Sequence, residues 1–360
     1  MNRKSNTIIP LLLMIGMFTG CGGDRENDPV PVTFESLEVA LQESVSKIIL
    51  PTVNQFVDDS VAIQNLSESF CSNASTESLL LVQQSWIEVS NSWFKLAAYN
   101  FGPLNDDLVF PKYTFIDSLR LRGTNYLGTV RTEISRNLIN EELLDAAFFE
   151  RLTFQKTGLL LLEALLFETS SEQSTELANI VSEYQFNNRK CELLIGAANA
   201  LERNANYVQY GWLTSYRQSA NSFEYLFLND LLEDDSDPLA LILVAVQNHL
   251  DYLQKRNVVT ISASLAGNSW QQIDASITEI EKLLNGTSDT TTSYFYLMEV
   301  AGFDNSVNLV KENIQRIRQA IELQQSDLLA SELGRLDGNF KREIPDALAV
   351  ELGINFTDGD

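Results

Sequence analysis

The chain has 360 residues and carries 49 acidic against 25 basic side chains, a formal net charge of −24, with a single histidine. That balance disfavours nucleic acid and anionic lipid as partners, since both are held by a basic face. One histidine also leaves too few nitrogen ligands for a zinc site of the usual kind.

The first element is a leader. Arg3 and Lys4 precede an apolar stretch from Ile8 to Phe18, which ends in Phe18-Thr19-Gly20-Cys21. A basic start, a short apolar run and small residues before the cut form a secretory signal, too short to span a bilayer as a mature helix. The cysteine at the junction resembles the lipobox of bacterial lipoproteins, in which the thiol is acylated and the cysteine becomes the first residue. Residues 1–20 therefore read as a signal peptide. Residues 21–32 read as a polar tether lipidated at Cys21, because two or three acyl chains on one residue anchor stably. The chain is expected in the bacterial cell envelope, lipid-anchored in the outer membrane and facing the periplasm or the cell surface.

From Thr33 onward apolar residues recur at three- and four-residue spacing, which predicts helices. Leu37, Leu41, Val45 and Ile49 open the first, with Thr33 as N-cap, and Pro51 is expected to kink or break it before Val53 to Leu66. Glu77 to Tyr99 forms the second, carrying Trp86 and Trp93 on one face, and Phe101-Gly102-Pro103 stops it. Further helices are expected at Ile116 to Leu138, broken near Gly123 and Gly128, and at Glu141 to Glu168. Others follow at Ser174 to Tyr210, Gln218 to Leu232, Leu239 to Lys255, Trp270 to Leu284 and Asn305 to Leu333. No period-two alternation argues for a sheet. The pattern predicts an all-α fold of two antiparallel helical bundles packed side by side, with 33–170 in the first and 171–360 in the second. Cys71 and Cys191 remain after lipidation, and a disulfide or two buried thiols are both open.

The most unusual stretch is Gly158 to Phe167, a helix apolar on all sides with Glu163 in its middle. Leu159, Leu160, Leu166 and Phe167 share the face of Glu163. A carboxylate there must be paired, protonated or bound to a cation, because burying it bare costs several kcal/mol. Such groups cluster at functional sites, although a structural glutamate satisfied by a facing helix is as good a reading. Trp86 and Trp93 fit core packing better than a ligand platform. His249 reads as a surface or interface histidine. Asp234, Asp235 and Asp237 read as a solvated loop before Pro238, or a weak calcium site. Asp358 and Asp360 fall at the free end. Gly-rich phosphate loops, nucleophile elbows and Cys-x-x-Cys pairs are missing from the sequence.

Three stretches together resemble the imelysin-like family. Trp86 and Trp93 one heptad apart, closing on Phe101-Gly102-Pro103, look like the family's tryptophan helix and its turn. Gly158 and Glu163, followed by Leu165-Leu166-Phe167, look like its Gly-x-His-x-x-Glu signature. Leu352-Gly353-Ile354, Phe356 and Asp358-Gly359-Asp360 look like its ending. The resemblance implies a helical bacterial envelope protein of a family named for a peptidase and often associated with iron uptake. Iron or haem is thus a cofactor by resemblance only. The signature histidine position holds Leu160, which can neither bind a metal nor carry a proton, so the resemblance points away from hydrolysis. The expectation is a non-catalytic binding lipoprotein with a cleft formed by Glu163, Leu160, Gly158, Trp86 and Trp93. Its partners would be the membrane through Cys21 and a small ligand or envelope protein. The alternatives are a docking lipoprotein, for which Glu163→Leu would be neutral or stabilising, and a divergent metallopeptidase.

Overall fold

The structure is a computed structural model that describes residues 29–119, 123–233 and 235–352. The leader, Cys21, most of the tether, Asp234 and the C-terminal Asp358 and Asp360 lie outside these residues. Thr33 caps the first helix: its hydroxyl accepts from the Ser36 amide, and Ser36 returns the bond. This satisfies two of the orphan donors at the helix start. Helix α1 (Phe34–Ser44) runs through one π-helical turn, Val45–Ile49, into α2 (Leu50–Ser72). The π turn carries the chain past Pro51 without a break, since a wider turn absorbs the missing amide.

Helices α3 (Thr76–Leu96), α4 (Leu127–Ile139), α5 (Ala146–Glu150) and α6 (Gly158–Phe167) follow. Then come α7 (Leu177–Phe186), α8 (Asn188–Leu213) and α9 (Phe223–Leu228). In one group α2 lies against α3 and α8, while α6 packs between α3, α4 and α8. The other group comprises α10 (Pro238–Lys255), α11 (Val258–Ile261), α12 (Ser269–Asn285), α13 (Tyr294–Val300), α14 (Asp304–Glu322), α15 (Ser326–Lys341) and α16 (Glu343–Leu348). There α10 and α14 both pack on α15, and α12 lies across α3 to join the groups. The molecule is therefore all-α, two antiparallel helical bundles side by side, with no strand among the described residues. No helix among them is long and apolar enough to cross a membrane.

Several long helices divide where periodicity alone runs on. Glu141 to Glu168 splits into α5, a 3-10 turn and α6, because Thr157 is extended and Gly158 sits at φ +73°. Ser174 to Tyr210 splits at Asn187, whose side chain accepts from the Arg189 and Lys190 amides and starts α8. Asn305 to Leu333 splits at Gln324, which takes a left-handed φ of 51°. Gln218 to Leu232 shrinks to α9 after Ser222 caps it. Gly128 breaks nothing; α4 runs through it.

Cys71 at the end of α2 and Cys191 at the start of α8 form a disulfide, Cα to Cα 5.5 Å, across a sequence separation of 120. Closing so long a loop removes much of the unfolded chain's freedom. Reduction, or the Cys71→Ser Cys191→Ser pair, is expected to lower stability by about 2–5 kcal/mol, read as a shift in the urea midpoint. An unchanged midpoint would contradict this. Beside it, Lys190 is fully buried, and its Nζ donates to Glu183 Oε2 at 2.5 Å and to the Glu168 carbonyl at 3.1 Å.

Candidate functional site: the Glu163 clasp

The site grows from one glycine. With φ at +73°, a Cβ on residue 158 would stand 2.4 Å from the Ile116 carbonyl oxygen, a distance no side chain tolerates. Glycine there lets α6 begin pressed onto the preceding chain, and the Leu159 amide donates to that same carbonyl at 2.9 Å. The Trp86 indole N–H donates to the Leu159 carbonyl at 3.0 Å. At the far end, Gln83 Nε2 donates to Leu166 O and the Tyr184 hydroxyl to Leu165 O. Side chains of α3 and α7 thus satisfy terminal carbonyls of a buried helix that has no solvent to do so.

Glu163 sits at the centre of this gripped helix and is 1% exposed. Its Oε1 accepts two backbone amides, Leu265 at 2.8 Å and Ala266 at 3.1 Å. Both belong to the loop between α11 and α12, which Ala263 (φ 48°) and Gly267 (φ 73°) bend around the carboxylate. A side chain of the first bundle therefore clasps a loop of the second. Burial pushes the Glu163 carboxyl up to about 7; the two amides pull it down, and nearby Glu168 adds to the rise. Glu168 itself is held by a two-pronged bond from Arg131.

Beside the clasp is a cleft of only about 30 Å³, walled by Trp86, Leu160, Glu163, Asp117, Ser118 and Gln272. That is room for about one or two waters. Leu160 stands on its wall where the family signature has histidine. Asp117 is already engaged: its Oδ2 accepts from the Trp93 indole at 3.1 Å and the Tyr252 hydroxyl at 3.4 Å, and its Oδ1 from the Leu119 amide. The buried Ser118 hydroxyl has no hydrogen-bond partner among the described residues. Gln272 Oε1 accepts the Ser262 hydroxyl at 2.7 Å.

The structure brings Glu163, Leu160 and Trp86 to one cleft. Gly158 and Trp93 stand behind it, the first seating α6 and the second holding Asp117. Asp117, Ser118, Gln272 and the two clasped amides escape a reading of the sequence, because each meets Glu163 or the cleft across a large sequence separation and carries no motif. Of the surface and interface positions open to His249, the structure takes the interface. The residue is fully buried between α10, α3 and α12, with Nε2 2.9 Å from the Ser276 hydroxyl and its ring edge-on to Phe94. Its apolar neighbours on α10 belong to the contact between the bundles. Asp237 is the N-cap of α10, accepting from the Ala240 amide, which gives that acid a structural role.

The residues present do not fit a catalytic metal. Glu163 spends Oε1 on amides, Asp117 accepts from three donors, and leucine replaces the histidine. No group of three or more His, Cys, Asp or Glu suited to a metal ion occurs among the described residues. An open zinc site needs three protein ligands and a free position.

The apolar helix α6, with its one buried carboxylate, is thus held inside the first bundle and tied to the second through Glu163. Residues 49–347 match the family model Peptidase_M75, Imelysin, and the chain belongs to the imelysin family. Its fold is shared with an imelysin-like protein from Psychrobacter arcticum 273-4, at a TM-score of 0.70 and 16% identity over 90% of this chain and 100% of that one. It is also shared with a candidate iron-regulated protein A precursor from Parabacteroides distasonis ATCC 8503, at a TM-score of 0.62 and 14% identity over 89% and 96%. No curated protein matches the chain.

Proposed function

We propose that this chain is a non-catalytic binding component of the bacterial cell envelope, held there by acyl chains on Cys21, in which the family's glutamate serves as a clasp between bundles. The observation that carries this is the pairing of Glu163 Oε1 with the Leu265 and Ala266 amides, beside leucine at residue 160. A general base must reach a water or a substrate proton, and a metal ligand must offer a lone pair to the ion. Glu163 commits Oε1 to the edge of the second bundle, and leucine at residue 160 brings it neither a second ligand nor a proton carrier. A haem-sized molecule needs a pocket of several hundred Å³, so the 30 Å³ cleft gives it no seat. The iron-regulated designation belongs to the Parabacteroides protein, and the described residues gather no group of three or more His, Cys, Asp or Glu that could hold a metal ion.

The test is cleavage of a mixed peptide library by the full chain, alone and with zinc, manganese or ferrous iron. No turnover above buffer is expected under any condition. Metal-stimulated cleavage that disappears in Glu163→Gln would make the chain a peptidase and end this reading.

A further inference from the structure

Phe101-Gly102-Pro103, the turn after α3, contributes nothing to the Glu163 cleft. It forms part of the floor of a different feature: two adjoining concavities of about 510 and 560 Å³ at the C-terminal end of α8, continued by an open stretch along that helix. The two concavities share Tyr216 and Arg217, and the second shares Tyr207 and Tyr210 with the open stretch, so they adjoin as one trough. Two glycines let its floor close. A Cβ at Gly102 (φ +55°) would stand 2.6 Å from the Phe223 ring, and one at Gly211 would stand 2.7 Å from Pro103.

The walls are aromatic and exposed. Tyr207 and Tyr210, one helical turn apart on α8, are 43% and 56% accessible. Between the two concavities Arg217 and Gln218 occupy consecutive left-handed conformations, φ 49° and 60°, a strained arrangement that collects at ligand-holding loops. The Arg217 guanidinium lies 5.2 Å from the Tyr216 ring centre. It donates to the Asp106 carbonyl at 3.0 Å and pairs with Glu233 at 3.2 Å. Lys112 Nζ sits 4.4 Å from the Tyr207 ring centre, and the Tyr207 hydroxyl bonds the Asp106 carboxylate. Two cations thus face two carboxylates. In a chain with a net charge of −24, this trough has no local charge excess, so it selects for neither sign of ligand.

We infer that this trough binds a neutral, linear glycan. A pyranose ring presents a flat C–H face and a rim of hydroxyls. The first matches tyrosine rings, which offer an apolar body with a polar tip. The second matches a guanidinium and carboxylate that can each take paired hydrogen bonds. The Arg217–Glu233 pair is solvent-exposed and contributes little by itself, so sugar hydroxyls can share its donors and acceptors. Two adjoining concavities running onto an open tyrosine face suit a chain of repeating rings. An extended peptide, by contrast, finds no strand edge to pair with here. The inference goes beyond the proposed function and does not depend on Glu163.

The experiment is isothermal titration of the full chain with linear hexasaccharides of β-1,4-linked glucose and of β-1,4-linked N-acetylglucosamine. An oligogalacturonate of the same length and a proline-rich decapeptide are run beside them. Saturable binding of at least one neutral hexasaccharide is expected, changing less than about twofold between low and high salt. Tyr210→Ala and Tyr207→Ala, both at exposed positions that leave the core intact, should each weaken it about tenfold, the order of one lost ring-stacking contact. Glu163→Gln should leave it unchanged, which separates this result from the peptidase test. Absence of neutral glycan binding, tighter binding of the uronate or the peptide, or binding that survives loss of both tyrosines overturns the inference.

Discussion

Gly158→Ala is expected to cost about 4 kcal/mol or more and to leave little folded protein at growth temperature. Two penalties coincide. The residue sits at φ +73°, where a Cβ is strained by about 1–3 kcal/mol. The new methyl would also meet the Ile116 and Phe115 carbonyl oxygens at 2.4 and 2.7 Å, and backbone has no rotamer by which to yield. Relief requires α6 to lift from residues 115–116, which breaks the Leu159 amide bond to Ile116 and moves Glu163 away from its loop. Gly128→Ala is the matched control, because nothing lies within 4 Å of its Cβ position and it sits in the first turn of α4. It should be neutral or stabilising by up to about 1 kcal/mol. Chemical unfolding of the two variants beside wild type checks both. Equal midpoints would mean that the start of α6 is not held as described.

The second large effect separates two substitutions at one position. Glu163→Leu leaves the Leu265 and Ala266 amides, in a part-buried loop, without their acceptor. At about 1–3 kcal/mol for each orphaned donor the loss is about 2–6 kcal/mol. This reverses the expectation that a structural Glu163 would tolerate leucine, because leucine cannot accept from the two amide donors. Glu163→Gln keeps a carbonyl for both amides and removes the charge. The folded carboxyl titrates near 7 against an ordinary 4.5. The folded state therefore holds its proton through that interval while the unfolded chain has lost it. Stability from this group is full below about pH 4.5 and is lost as pH rises through 7. The difference in unfolding free energy, Glu163→Gln minus wild type, should thus grow by about 3 kcal/mol between pH 4.5 and pH 8. A difference flat with pH would show that Glu163 is ionised and paired throughout.

Much of this molecule can be read from its sequence where the signal is local. The Thr33 cap, the stop at Phe101-Gly102-Pro103 and the period of the apolar residues depend on neighbours a few positions away. The apolar helix around Glu163 announces its own burial for the same reason. Helix breaks at Asn187 and Gln324 are less visible, because an Asn side chain cap or a single left-handed residue leaves the apolar rhythm undisturbed. The clasp is not visible at all. Its acceptor is one glutamate, but its donors are backbone amides of Leu265 and Ala266, about a hundred residues later, and an amide carries no residue identity. Which of its two open positions His249 takes is hidden for the same reason: its face is apolar because another bundle covers it. The trough joins the turn at residues 101–103 to Tyr207, Tyr210 and Arg217, whose spacing in the sequence has no period.

The clasp can be observed directly. Selective labelling of leucine and alanine amides allows the Leu265 and Ala266 signals to be followed by NMR from about pH 4.5 to pH 9, across the interval in which an acid raised to about 7 titrates, with zinc and ferrous iron added at the end. Both amides should move in one transition centred near 7, vanish as a transition in Glu163→Gln, and ignore the metals. Amides that stay still through that range, or that shift only when metal is added, would mean that the glutamate serves a ligand and not the loop.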